Sequence, residues 1–216
     1  MPKKFPPPEE KVFTSKYIDD FNDGALPNLL GGKMSVETEA PSEISFSYDK
    51  REALDNKGYC LKVKYRLYPQ KTAELIIGLN DIDISQAYGI SFWIKNCNGP
   101  QIEVLLKDGL DTAGKVILDD RLIEEKTWQK ISLMRGDFPK LDFNRLKELR
   151  LIFSSADRFI EGELYLDEFF FFGPSHVFFE SIKDNLYGFP TKRLLDSHVL
   201  LRYSDEKLLR TIASDT

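Results

Sequence analysis

Residues 17–32 read YIDDFNDGALPNLLGG, gathering Asp19, Asp20, Asn22 and Asp23 at the end of a short apolar strand, ahead of Gly24, Asn28 and the pair Gly31-Gly32. Carboxylate and amide oxygens crowded beside flexible glycines are hard ligands, better suited to a calcium ion than to catalysis. A second acidic pair, Asp167 and Glu168, interrupts an otherwise apolar strand in LYLDEFFFFGP. Two such strands lying side by side would close one cation site between them. The same residue types also make turns and blunt an edge strand with no ion involved.

Other chemistry finds little support. A glycosidase needs two carboxylates held across a cleft. With 35 acidic residues in the chain, pairs such as Asp119-Asp120 and Glu124-Glu125 arise without meaning. His176 and His198 have no ligand-like spacing, which argues against zinc and against a Ser-His-Asp site. GLDTAGK lacks the spacing of a phosphate loop and the helix that should follow it. The expectation is a protein that is not an enzyme. A net charge of −5, with no basic stripe interleaved with aromatics, argues against nucleic acid as a partner. No apolar run approaches a membrane span. The start, MPKKFPPPEEKVF, has no apolar run behind its lysines. No secretory signal is therefore read, and the chain as it stands is expected in the cytoplasm. An extracellular or periplasmic location would require that a leader had been trimmed away. Cys60 and Cys97 make no disulfide framework and are read as free thiols.

The elements that must position these residues are strands. In YCLKVKYRLYP, Leu61, Val63, Tyr65 and Leu67 alternate with Lys62, Lys64, Arg66 and Tyr68. That is period two, one face dry and one face wet. GISFWIKN places Ile90, Phe92 and Ile94 inward and Ser91, Trp93 and Lys95 outward; QIEVLLKDG continues with Ile102, Val104 and Leu106 inward. WQKISLM, ELRLIFSS and ELYLDEFFFF supply three more, and KMSVETE, EISFSYD, AELIIGL and KVILDDRL four shorter ones. Residues 169–172, all Phe, read as a central strand buried on both faces. The Lys62, Lys64 and Arg66 ladder reads as a solvated face, and FNRLKEL as one helical turn leading into a strand. About ten short strands at this spacing predict an all-β antiparallel sandwich, a jelly roll. Residues 1–14, with three consecutive prolines, read as an extended leader and residues 15–174 as the sandwich. Residues 175–216 read as a helical extension, or a linker to a following domain. Ser175 caps a first helix with Phe178, Phe179, Ile182 and Leu186 on one stripe, and a second begins at Ser204.

YIDDFNDGALPNLLGGK, GISFWIKN, TWQKISLMRGDFPKLDFNRLKELRLIFSS and GELYLDEFFFFGP together resemble carbohydrate-binding module family 11. They also resemble the related complex I intermediate-associated protein family, on the galactose-binding-like jelly roll. The resemblance covers roughly residues 15–174. It implies a structural calcium joining the first strand to the last, carried here to Asp20, Asn22 and Asp167, with Asp23 as a further ligand and backbone carbonyls near Gly31 completing it. YGFPTKRLLD, followed by YSDEKLLRTIASDT, is similar to the entrance of glucoamylase-like glycosidase domains, which implies a catalytic domain beyond the sandwich.

A sugar-binding face needs aromatic rings standing out of a sheet and planar hydrogen-bonding groups beside them. The outward positions offer Tyr68 and Trp93, with Arg66, Lys107, Asp108 and Arg150 as polar companions. Trp93 can equally be a packing residue under a loop or under the carboxy-terminal helix. Trp128, at the start of its strand, reads as core or edge. Two functions follow. One is a non-catalytic module that binds polysaccharide or oligosaccharide and targets an associated glycoside hydrolase to it. The other is a protein-interaction or scaffolding domain of the intermediate-associated type. An outward aromatic strip would favour the first, and a flat charged sheet the second.

Overall fold

The computed structural model describes residues 15–95, 99–118 and 126–173. Period-two alternation becomes strands throughout. Among the described residues these are β1 (Ser15–Asp19), β2 (Met34–Thr38), β3 (Glu43–Asp49), β4 (Cys60–Leu67), β5 (Thr72–Ile82) and β6 (Gly89–Lys95). They continue with β7 (Gln101–Asp108), β8 (Ala113–Ile117), β9 (Gln129–Met134), β10 (Leu146–Ser154) and β11 (Ile160–Phe172). They pair antiparallel into two sheets. The first runs β3-β4-β11-β6-β9, with β1 added to β11; the second runs β2-β5-β10-β7-β8. The expected antiparallel sandwich is the fold. FNRLKEL forms a turn rather than a helical one, and β10 already begins at its Leu146.

Inward positions of both sheets meet in one core. Leu61, Val63 and Leu67 of β4, Phe92 of β6 and Leu164 and Leu166 of β11 face Leu75, Ile77, Val104, Leu149, Leu151 and Phe153. Aromatic rings fill its middle: Phe92 stacks on Phe169 at 4.7 Å, and Phe21 meets Phe169 edge-on at 6.0 Å. β11 is the central strand of its sheet, and all four phenylalanines of residues 169–172 are buried, as the apolar run predicted. Cys60 is buried with a free thiol, while Cys97 lies outside the described residues. So do the leader, the two helices expected in residues 175–216 and the glucoamylase-like motif. No helix among the described residues is long and apolar enough to cross a membrane.

Two joints fix the loops around β1. Asn28 donates from its amide nitrogen to the Gly78 carbonyl at 2.9 Å, and its Oδ1 accepts from the amides of Leu30 and Gly32. Gly32 has no substitute there, because a Cβ would collide with the Gly78 carbonyl. At Gly58, φ is +60° and Asn22 fills the space a Cβ would need, so residues 20–25 and 54–59 interlock. The strand-end acidic residues are thereby pinned between β1, β11 and the loop that precedes β4.

Candidate functional site

The two acidic segments meet as their sequences suggested. β1 runs antiparallel to β11, with Tyr17 opposite Phe170 and Asp19 opposite Phe169. Both strands are irregular at the junction: Phe21 and Glu168 adopt left-handed φ values of 53° and 47°. Such values in bulky residues mark a backbone held by its surroundings. Asp19 and Asp167 are both buried, each 3% exposed. Asp167 accepts from the Leu54 amide through Oδ2 at 3.0 Å and from the Glu168 amide through Oδ1 at 2.8 Å. Asp19 Oδ1 accepts from the Phe21 amide at 2.8 Å, whereas its Oδ2 is buried without a hydrogen-bond partner.

Burial pushes the Asp19 carboxyl up to about 6, partly offset by the Phe21 amide and reinforced by repulsion from Asp23 and Asp20. Burial likewise raises Asp167 to about 7, against the Leu54 and Glu168 amides and with Glu168 and Asp20 adding negative field. The same field reaches the Cys60 thiol, raised to about 12 by burial first and then by Asp167 and Asp49. These shifts describe a pocket of concentrated negative charge that favours protons or a cation.

The expected ligands divide. Asp20 is half-buried and accepts from the Asn22 amide; Asn22 is exposed, and exposed Asp23 accepts from the Ala25 amide. Those two carboxylates make local turns, as the alternative reading of the motif required. The carbonyls of Asn28, Leu30 and Gly32 accept from the Gly31 amide, the Asn80 side chain and the Asn28 amide, tying that loop together and to β5. Among the described residues no group of three or more His, Cys, Asp or Glu side chains is placed to hold a metal ion. What fits a hard cation is the orphaned Asp19 Oδ2, an acceptor that otherwise costs about 1–3 kcal/mol to bury. Asp19 stood in the sequence cluster, but its burial depends on the long-range pairing of β1 with β11.

The six outward residues expected to bind sugar also divide, between the two sheets. Arg66 and Trp93 lie on the outer face of the β4–β11–β6 sheet, and Tyr68 continues that face beyond β4. Lys107 and Arg150 lie on the outer face of the other sheet. Asp108 belongs to neither face. It is 1% exposed, and its carboxylate accepts from the amides of Leu110, Thr112 and Asp142. Those three amides hold its carboxyl below the usual range despite burial, which makes Asp108 a turn-holding residue.

On the second sheet Arg150 sits in a closed ion-pair network. Its Nη1 reaches Glu74 at 2.8 Å and Glu37 at 3.3 Å, and its Nη2 reaches Glu148 at 2.8 Å. Lys107 bonds Asp111 at 3.0 Å. No aromatic residue occupies an outward strand position of this sheet among the described residues.

The first sheet differs. Trp93 is half-buried, paired across the sheet with Asp167 and Lys130. Residues 50–56 fold over that end, with Lys95 Nζ 2.7 Å from Glu52 and the Leu54 amide on Asp167. Tyr68 is 40% exposed at the opposite end and touches Phe159, 46% exposed, with ring centroids 5.0 Å apart at 61°. Phe159 was missed in the sequence. Its signal was the alternation of β11 extended backwards, which puts it on the same face as Glu161. Trp128 is half-buried beside the edge strand β9, with Lys95 Nζ 6.0 Å from its ring centroid.

Solved structures share this fold. A family 11 carbohydrate-binding module of a cellulosomal cellulase of Clostridium thermocellum superimposes with a TM-score of 0.59 at 16% identity, over 76% of this chain and 96% of the module. The fold is that of a family 11 carbohydrate-binding module. A Clostridium thermocellum family 11 module in complex with a β-1,3-1,4-mixed-linked tetrasaccharide gives a TM-score of 0.58 at 16% identity, over 76% of this chain and 98% of the module. A β-1,2-glucanase from Parabacteroides distasonis gives 0.58 at 14% identity, over 76% of this chain but only 26% of the glucanase. No protein-family model matches the sequence, and no curated protein matches it.

Proposed function

We propose that this chain is a non-catalytic carbohydrate-binding module that holds an associated glycoside hydrolase on its polysaccharide. The observation that carries the reading is the outer face of the first sheet, where the exposed rings of Tyr68 and Phe159 stand beside the planar donor of Arg66. Likeness over nearly the whole length of family 11 modules supports it, and likeness to about a quarter of a β-1,2-glucanase supports the accessory role. Affinity electrophoresis of the full chain through gels containing β-glucans, mannans, galactans or α-glucans tests the reading. Retardation by at least one is expected; free migration through all of them would refute it.

The reading includes one calcium ion bound beside Asp19 and Asp167, with Asp20 at its margin and Asn22 and Asp23 in supporting turns. Bound there, calcium would neutralise the buried negative charge and raise stability by mass action. Melting should then occur at higher temperature in calcium than in EDTA. Coincident curves would remove the ion from the account.

A second reading is a protein-interaction domain. The saturated outer face around Arg150, with no aromatic at its outward strand positions among the described residues, favours it, since a charged sheet suits a macromolecular partner better than a sugar chain. A protein retarded by no glycan would make this the better account.

A further inference from the structure

We infer that the glycan-binding groove is the outer face of β3, β4 and β11, that its ring platform is Tyr68 with Phe159, and that it takes a neutral glycan. This rests on the carbohydrate-binding reading above and adds to it a location and a ligand class. Strand register places Glu43 beside Arg66 and Arg66 beside Glu161, then Ser45 beside Lys64 and Lys64 beside Glu163. These six side chains line a shallow hollow of about 740 Å³. That size lies within the range of small-ligand sites. The alternation that turns Arg66 and Glu161 outward carries on through Tyr68 and Phe159, whose rings touch each other one rung beyond the residues that line the hollow. Four residues separate the Tyr68 rung from the Lys64 rung, or ~13 Å of strand, enough for a short oligosaccharide.

The rings and charges fit hydroxyl-rich, uncharged sugar. Rings crossing at 61° cannot both lie flat against one sugar, so one offers its face while the other braces it. The charged groups of the Arg66 rung are loosely engaged: Arg66 reaches Glu161 at 3.4 Å and Glu43 at 3.6 Å, and all three side chains are more than 60% exposed. Their donors and acceptors can therefore turn toward ligand hydroxyls at little cost, since exposed ion pairs contribute little stability. With Lys62 holding Glu163 at 2.6 Å, three carboxylates face three cations, so the hollow carries no excess positive charge to hold glycans bearing carboxylates or sulfates.

The test is affinity electrophoresis of the full chain with calcium present. The gels carry mixed-linkage β-glucan, mannan and galactan as neutral probes, and polygalacturonate and a sulfated galactan as anionic ones. The proteins are wild type, the double variant Tyr68→Ala/Phe159→Ala, Arg66→Ala, and Arg150→Ala as a control on the other sheet. Thermal melting of each confirms folding. The inference expects at least a tenfold loss of affinity for a neutral glycan in the double variant, a clear loss in Arg66→Ala and none in Arg150→Ala. Wild-type retention that survives intact in the double variant would overturn the groove while leaving the module reading in place. Loss in Arg150→Ala alone would move the site to the other sheet. Stronger retention by the anionic probes would overturn the ligand class, and no retention of wild type by any probe would overturn both readings.

Discussion

The outer faces of the two sheets carry similar charged residues arranged to opposite effect. Around Arg150 every arm of the guanidinium is engaged, by Glu37, Glu74 and Glu148. Burial opposes its charge, but the bonds to Glu74 and Glu148 outweigh that, and its pKa rises. Around Arg66 the contacts are long and solvated, and two exposed rings touch each other one rung further along the strands. A saturated network spends its hydrogen-bonding capacity on its own sheet; a loose one keeps that capacity available to a ligand. Charge type alone therefore does not distinguish the two faces; the degree to which the charges are already paired does.

Several substitutions would break or sharpen this contrast. The largest effect should come from beneath both faces. Phe169→Ala removes a ring stacked on Phe92 and edge-on to Phe21, and should cost about 3–5 kcal/mol in denaturant unfolding. A cost below 1 kcal/mol would mean that the aromatic centre does not hold the sheets together.

Next should come pH. Burial raises the folded pKa of Asp167 to about 7 and that of Asp19 to about 6, from an ordinary aspartate value of 3.8, so the folded state holds their protons more tightly than the unfolded chain. Their contribution to stability is full below pH ~4 and is lost as pH rises through the folded values. In EDTA this pair makes the melting temperature fall between pH 5 and pH 8. Calcium, competing with those protons, should flatten or reverse the slope. A slope unchanged by Asp167→Asn would show that other groups set it.

Smaller still, Arg150→Ala should cost roughly 2 kcal/mol, because it strands Glu74 and Glu148 beside each other. Arg66→Ala should change stability by less than about 0.5 kcal/mol. Equal costs in the two variants, measured by urea unfolding, would erase the contrast between the faces.

Much of the fold was legible because alternation is local. GISFWIKN and YCLKVKYRLYP each stated which side chains face the core, and the structure keeps those assignments. Which strands share a sheet was not legible, since that depends on pairings such as β10 between β5 and β7. For that reason Arg66 and Arg150 read as companions although they occupy different sheets. Asp108 could have been read correctly: it continues the inward series Ile102, Val104, Leu106. Trp93 was given the right face, but the cover from residues 50–56 comes from a loop about forty positions away and leaves no trace near the tryptophan. That the two acidic strands lie side by side follows the possibility their motifs raised, although Asp19 was not among the expected ligands. The partnerless Asp19 Oδ2 emerges only once both strands are packed.

The measurement that bears most directly on the account is amide chemical-shift mapping of the full chain, titrated with a soluble oligosaccharide of whichever neutral glycan retards it. Binding on the outer face of β3, β4 and β11 should concentrate perturbations at residues 43–45, 64–68 and 159–163, with the amides around Glu74, Leu105 and Arg150 unmoved. Perturbations centred on Arg150 and its neighbouring strands, with the Tyr68–Phe159 end unmoved, would contradict it.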